Sequence, residues 1–257
     1  MLPLHKPDAV LSARNFPAWI LLASSAGAVN AIAFLACARF VAHVSGNATS
    51  FGTSAAALDV AEDYGLVLLC FVAGAMVSGS LIDGRSQRKK TPLFAAPLLL
   101  TVGILVVVGT AGMLGLFGEF NGTADGVHDL IFVSVLSFAM GVQNAAVASA
   151  TGLLVRTTHM TGPATDLGVQ LATALHATGE TRKTAFKQAL LRATKITSFT
   201  VGAALGVPLA MFLKYGAFLV PAGFVFVATV MSFVKRSAVQ HVPAFSAGRA
   251  ETVRDAA

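Results

Sequence analysis

Six long apolar stretches dominate this sequence, and each has the length needed to cross a lipid bilayer as a helix. They cover residues 17–40, 64–82, 93–117, 129–152, 194–213 and 216–234. A spanning helix needs about 20 mostly apolar residues, because the hydrocarbon core offers no water to the backbone. Only 12% of the 257 residues are charged, against about 25% in soluble domains. The sequence therefore predicts an all-α polytopic membrane protein with six transmembrane helices.

The segments between these stretches differ in charge, and the difference predicts how the helices are oriented. Sixteen of the 18 Lys and Arg residues lie in the N-terminal arm, the second and fourth connections and the C-terminal tail. Cytoplasmic loops are enriched in Lys and Arg. We therefore expect a multi-pass membrane protein with both termini in the cytoplasm. This topology explains the net charge of +6, and no recognition motif indicates nucleic acid as a partner.

A polar decapeptide occurs twice, each time directly after a long apolar stretch. Residues 43–52 read HVSGNATSFG, and residues 159–168 read HMTGPATDLG. The likeness extends upstream, where GAVNAIAF at 27–34 matches GVQNAAVA at 141–148. The chain is therefore predicted to contain two related halves.

Each half contains three of the six predicted spans. The first half covers residues 17–117 and the second covers 129–235, with a cytoplasmic amphipathic segment at about 169–193. Because three is odd, the second half enters the membrane from the opposite side, as in many secondary transporters. The sequence predicts a 3+3 inverted-topology repeat, flanked by a cytoplasmic arm at 1–16 and a disordered tail at 236–257.

The repeated decapeptides contain residues that interrupt helices and expose polar groups. Interrupted helices form the solute site in many transporters, because their free backbone N–H groups bind polar or anionic groups. The candidate solute-binding residues in the two copies are Ser45, Gly46, Asn47, Thr49, Thr161, Gly162 and Thr165. The alternative is that both copies are polar turns whose side chains only cap helices.

Three amide side chains lie inside apolar stretches, where polar groups are costly and often functional. Asn30 occupies the first stretch, and Gln143 and Asn144 occupy the fourth at a corresponding depth. If the halves face each other, these amides converge and bind a solute. The alternative is that they form hydrogen bonds between helices without any ligand.

Five further residues are candidates for gating or coupling. His43 and His159 begin the two decapeptides, and are expected near opposite membrane faces, too far apart to share a metal ion. Arg39 and Arg156 either extend to lipid headgroups or attract anions. Asp166 either binds a coupling proton or caps the following helix.

The paired motifs also resemble a known family. The segments GAVNAIAFL, FVAHVSGNATSFG, GVQNAAV and THMTGPATDLG are similar to those of the YoaK-type family of bacterial inner-membrane proteins, over roughly residues 15–235. The resemblance implies a six-helix membrane protein suspected of transport, and it implies no particular substrate. Members often carry an acidic residue where this chain has Asn30.

These patterns favour a secondary transporter or facilitator of a small polar or anionic solute. The alternative is a non-transporting assembly or regulatory protein, in which small-residue faces at Gly74 and Gly202 pack against other helices, and association of copies of the chain stays open. No enzyme motif occurs in the sequence. We therefore expect neither catalysis nor a cofactor, and membrane lipid and a small solute as partners.

Overall fold

The computed structural model describes residues 15–54, 57–122, 126–153 and 155–234. The tail predicted at 236–257 and nearly all of the arm predicted at 1–16 lie outside the described residues. Within the described ranges the chain is helical and contains no strand. The elements are α1 (Phe16–Cys37), α2 (Val44–Thr53), α3 (Leu58–Gln87), α4 (Ala95–Met113), α5 (Val127–Ala150), α6 (Thr161–His176), α7 (Gly179–Leu213), a 3-10 helix (Lys214–Phe218) and α8 (Leu219–Val234).

Among the described residues, five helical segments are long and apolar enough to cross a membrane. They are Phe16–Cys37, Val60–Gln87, Ala95–Met113, Val127–Ala150 and Gly179–Ser232. The predictions of an all-α fold and of transmembrane helices are confirmed, and the chain has the helices of a multi-pass membrane protein. The predicted spans 194–213 and 216–234 are not separate by these criteria, because both fall within the last segment of 54 residues.

This last segment changes direction at the 3-10 helix. Lys214 has a positive φ of 51° and ends α7. On α1, Ser24 lies against Gly202 and Ala28 lies against Gly206. Residue numbers on the two helices rise together, so α7 runs parallel to α1.

Helix α8 runs the other way along α1. The Ser25 hydroxyl donates a hydrogen bond to the carbonyl of Pro221 over 3.1 Å. Farther along α8, Val225 joins the apolar cluster that contains Trp19, near the start of α1. Since α7 and α8 run in opposite directions, the chain folds back between them.

Helices α1 and α7 touch backbone to backbone because both carry glycine at the contact. A Cβ atom added at Gly27 would lie 2.0 Å from the carbonyl oxygen of Phe199. A Cβ atom added at Gly202 would lie 2.0 Å from the carbonyl oxygen of Ser24. No side chain larger than hydrogen fits at either position without moving a helix.

Helices α3 and α5 make the equivalent contact. A Cβ atom at Gly141 would lie 2.0 Å from the carbonyl oxygen of Phe71, and one at Gly74 would lie 2.1 Å from that of Phe138. The close packing predicted at Gly74 and Gly202 is confirmed. Small residues serve this purpose in membranes, where helices gain stability from van der Waals contact rather than from escaping water.

The segment at about 169–193, predicted to be amphipathic, is divided between two helices. Helix α6 ends at His176, and α7 begins at Gly179 and continues unbroken to Leu213. The break lies at Ala177 and Thr178, which are extended, and Gly179 has a φ of 62°. The basic stretch is therefore the first part of the long helix α7, packed against α6.

Candidate functional site

After α1 the chain folds back along the helix it has just left. Ala38 adopts a left-handed conformation with a φ of 54° and ends α1. The backbone N–H of Ala42 then donates a hydrogen bond to the Oδ1 of Asn30 over 3.0 Å. Asn30 lies seven residues before the end of α1, which is about 10 Å along a helix axis. At Ala42 the chain has therefore returned to the level of Asn30, and α2 begins near that level rather than at the end of α1.

The chain after α5 folds back in the same way. The backbone N–H of Thr158 donates to the Oδ1 of Asn144 over 3.2 Å, and α6 begins at Thr161. We call residues 38–45 the first corner and residues 155–161 the second corner. For each corner, an asparagine in the preceding long helix accepts a hydrogen bond from the corner backbone. This bond anchors the backbone that leads into the following shorter helix.

The two corners border a single cavity of about 760 Å³. Four side chains from the long helices complete its wall, one each from α1, α3, α5 and α7. The lining residues are Asn30, Phe40, Ala42, His43, Val44, Ser45, Ala48, Phe71, Asn144, Arg156, Thr158, His159, Met160, Thr161 and Phe199. The cavity has the volume of a typical small-molecule site, which is about 300–1,000 Å³.

Seven of the residues predicted from the sequence line this cavity. They are Asn30, His43, Ser45, Asn144, Arg156, His159 and Thr161. Since the Oδ1 of each asparagine accepts a backbone hydrogen bond, its Nδ2 is directed elsewhere. Neither Nδ2 makes a hydrogen bond to any described residue, so both remain available to donate to a molecule in the cavity.

The residue directly after each corner is a glycine that makes room for the histidine of that corner. A Cβ atom at Gly46 would lie 2.5 Å from the Nδ1 of His43, and one at Gly162 would lie 2.6 Å from the Cε1 of His159. The two imidazole rings therefore sit against the first turns of α2 and α6. The role of these glycines is to admit the rings, and Gly46 is not among the described residues that line the cavity.

His43 and His159, which the sequence predicts near opposite membrane faces, line the same cavity. Both corners fold inward, and this brings together residues that the order of helices alone would separate. Within the described ranges, no group of three His, Cys, Asp or Glu side chains could hold a metal ion. Partial desolvation and the positive charges of Lys195 and Arg156 lower the pKa of His159, which lies outside the spanning segments.

Residues 18–231 match the family described as "Protein of unknown function (DUF1275)". The chain belongs to the DUF1275 family. No curated protein and no solved structure matches it. The matched region contains both corners and every residue that lines the cavity.

Other predicted residues of this DUF1275 chain act within the protein rather than at the cavity. The Thr49 hydroxyl donates to the carbonyl of Ser45 over 2.9 Å, and the Thr165 hydroxyl donates to that of Thr161 over 3.1 Å. Asn47 is buried, and its Nδ2 donates to the carbonyl of Phe40 over 3.3 Å. The two threonine bonds thus lie within the first turns of α2 and α6, and the Asn47 bond joins α2 to the first corner.

Gln143 differs from its neighbour Asn144 in its surroundings. Its side chain is fully buried, and its Nε2 donates to the carbonyl of Leu22 over 2.9 Å. Its Oε1 has no hydrogen-bond partner in the described part of the chain. Because Gln143 joins α5 to α1 and is not among the described cavity-lining residues, its placement favours the interhelical alternative over solute binding.

The two arginines predicted as gating residues have different surroundings. Both Nη atoms of Arg39 lie 3.1 Å from one carboxylate oxygen of Asp63, and the guanidinium lies 5.5 Å from the ring centroid of Tyr64. Arg39 therefore joins the first corner to α3. Arg156 is exposed, lines the cavity and forms no ion pair with any described residue.

A second, smaller cavity of about 270 Å³ adjoins the second corner. Arg156 and His159 line both cavities. The other described residues around the smaller cavity are Leu153, Gly162, Pro163, Asp166, Arg192 and Lys195. Asp166, predicted to act in coupling, lies 3.5 Å from a guanidinium nitrogen of Arg192.

Several residues around the two cavities were missed by sequence reasoning. Lys195 is buried, and its Nζ donates to the carbonyl of His159 in the second corner. A lysine inside an apolar stretch is a signal that could have identified it. Phe71 and Phe199 carry no such signal, since phenylalanine is common on any transmembrane helix.

Proposed function

We propose that this DUF1275 protein is a secondary transporter or facilitator of a small polar or anionic solute. The observation that carries the proposal is the 760 Å³ cavity bordered by both corners, each of which leads into one copy of the repeated decapeptide. A binding site between two related halves is typical of secondary transporters. A protein that serves only in assembly needs no cavity of this size, so the cavity favours transport over that alternative.

We propose further that the two halves form an inverted-topology repeat, as the repeated motifs and the charge bias predict, with the six crossings that the likeness to the YoaK-type family implies. The contacts at Asn30 and Asn144 support this, because each anchors the backbone that precedes its histidine. The glycine contacts support it too. Gly27 packs on α7 as Gly141 packs on α3, and the reversal between α7 and α8 supplies the sixth crossing.

The orientation proposed from charge places both termini in the cytoplasm of a bacterial cell, with the protein in the inner membrane. Helix α3 ends in a basic cluster that contains Arg85, Arg88, Lys89 and Lys90. The start of α7 carries Arg182, Lys183 and Lys187. These two regions are then cytoplasmic, and the second corner folds in from the cytoplasmic side.

In the proposed mechanism, Asn30 and Asn144 bind the solute through their free Nδ2 groups. The N-termini of α2 and α6, at His43 and Met160, carry partial positive charge that favours an electron-rich solute. Rocking of one half against the other would expose the cavity alternately to each side. The described lining residues all belong to one chain. The proposed mechanism therefore needs no second copy of the protein.

Uptake into proteoliposomes tests this proposal. The purified protein would be assayed with labelled phosphate, sulfate, acetate, a neutral sugar and zwitterionic amino acids. We expect uptake of at least one solute above protein-free liposomes, and a loss of more than tenfold in Asn30→Leu and Asn144→Leu. Gln143→Leu is the matched control, since Gln143 lies on the same helix as Asn144 but is not among the described cavity-lining residues. Uptake that is absent for the whole panel would count against transport, and uptake that is equal in all three variants would count against solute binding at Asn30 and Asn144.

A further inference from the structure

The smaller cavity beside the second corner is unusually rich in positive charge for a site next to membrane-spanning helices. Arg156, Arg192 and Lys195 line it, and Asp166 is the one acidic side chain among its described lining residues. The surplus is therefore positive even when His159 is neutral.

The positive side chains of this cavity differ in how fully a negative charge compensates them. Arg192 lies 3.5 Å from Asp166, whose side chain is half exposed. Lys195 is 8% exposed, and its Nζ donates a hydrogen bond to the carbonyl oxygen of His159. A buried ammonium is costly unless an opposite charge is near, and among the described lining residues Asp166 is one carboxylate for three positive side chains.

The corresponding positions of the first half lack this charge. Aligning the decapeptides places Phe40 opposite Arg156 and Ser50 opposite Asp166. Aligning Gly74 with Gly202 in turn places Tyr64 opposite Arg192 and Val67 opposite Lys195. Arg39, the basic residue of the first corner, is neutralised by Asp63. The positive site therefore belongs to the second corner alone.

We infer that the smaller cavity binds a soluble oxyanion, such as a carboxylate, phosphate or sulfate group, and that the transported solute carries this group. The assignment of solute class rests on the proposed transport function, whereas the binding site does not. Arg156 and Lys195 provide charge-assisted hydrogen bonds to the oxyanion. Arg156 and His159 line both cavities, so an anion held here lies next to the larger cavity.

Calorimetric titration of the full chain in neutral detergent tests the inference, with sodium phosphate, sulfate and acetate as probes at constant ionic strength. Each variant removes a charge-assisted hydrogen bond to the anion, so we expect at least about tenfold weaker binding in Arg156→Gln and Lys195→Met. Lys183→Gln is the matched control, because it also removes one positive charge, and Lys183 is exposed and pairs with Glu180 outside the cavity. We expect this control to bind as the wild type does.

Two additions to the titration distinguish anion binding from misfolding of a variant and from binding of lipid. Arg156 is exposed, so Arg156→Gln keeps the test valid if Lys195→Met does not fold, and Lys195→Arg should retain binding. A lipid phosphate has the same chemistry as the probes, so the titration would be repeated in nanodiscs with and without phosphatidylglycerol. Binding of the soluble probes in both kinds of nanodisc supports the inference.

Three results would overturn the inference: no probe binds the wild type, Arg156→Gln binds as tightly as the wild type, or phosphatidylglycerol abolishes binding of the probes. These results are distinct from failure of the transport proposal. Anion binding that depends on Arg156, without any uptake, keeps the site and removes transport. Uptake of a neutral solute without anion binding keeps transport and removes the anion site.

Discussion

The Oδ1 of Asn30 lies 3.0 Å from the backbone nitrogen of Ala42, twelve residues farther along the chain. Ala42 is buried, so this bond satisfies a backbone donor that is largely shielded from water. The same relationship links Asn144 to Thr158 in the second half. The inward folding of both corners depends on these two bonds.

We expect Asn30→Ala and Asn144→Ala each to lower the free energy of unfolding by about 1–3 kcal/mol, because each leaves a buried N–H without a partner. Asn30→Asp keeps the acceptor and should lose less stability, although it removes the Nδ2 donor from the cavity. Thermal unfolding in detergent measures the difference. Equal stability of the alanine variants and the wild type would show that the anchors do not hold the corners.

The four contact glycines should tolerate no larger side chain. We expect Gly27→Ala and Gly141→Ala each to cost about 1–3 kcal/mol, as overpacking does, since the new Cβ would lie 2.0 Å from a carbonyl oxygen. Gly103→Ala is the control, because no atom lies within 4 Å of its added Cβ. The unfolding temperature of Gly103→Ala should equal that of the wild type or lie slightly above it. An equal loss of stability in Gly103→Ala and the other two variants would show that close helix contact is not the cause.

The Arg39–Asp63 pair should stabilise the first corner modestly. Its side chains are 19% and 29% exposed, and partly screened pairs contribute about 1 kcal/mol or less. A double-mutant cycle with Arg39→Gln and Asp63→Asn measures the coupling. Coupling near zero would mean that the pair does not hold the corner against α3.

Stability should fall in mild acid because of His159. Its pKa in the folded protein is lowered by partial desolvation and by Lys195 and Arg156. The unfolded chain therefore binds the proton more readily, and stability decreases as the pH falls through about 6.5. We expect His159→Gln to flatten the dependence of unfolding temperature on pH between 8 and 5.5. Arg156→Gln should flatten it in part, and curves parallel to the wild type would contradict this account.

The sequence was sufficient for the helical class and for the two asparagines at the cavity. Polar side chains in apolar helices are costly, so Asn30 and Asn144 stand out without a structure. Gln143 stands out equally, yet it is buried between helices. Neighbouring residues on an α-helix point about 100° apart, and a helix that is apolar all round gives no sign of which direction faces the cavity.

The depth of the corners could not be predicted, because it depends on hydrogen bonds between residues 12 and 14 positions apart. The decapeptides indicated breaks in the helices but not that the chain folds back. His43 and His159 were therefore expected apart, although they line one cavity. Lys195 was overlooked because it lies at the edge of an apolar stretch and was counted with the loop charges.

The most direct test of the proposed solute cavity is protection of an introduced thiol in each corner. Cys37 and Cys70 would be replaced by alanine, and Ser45→Cys and Thr161→Cys would be introduced separately. Reaction with a small thiol reagent would be timed with and without the solute that gives the greatest uptake. We predict that the solute slows modification at both positions and that modification at either one blocks uptake. Modification that the solute does not slow, and that leaves uptake unchanged at both positions, would contradict the account.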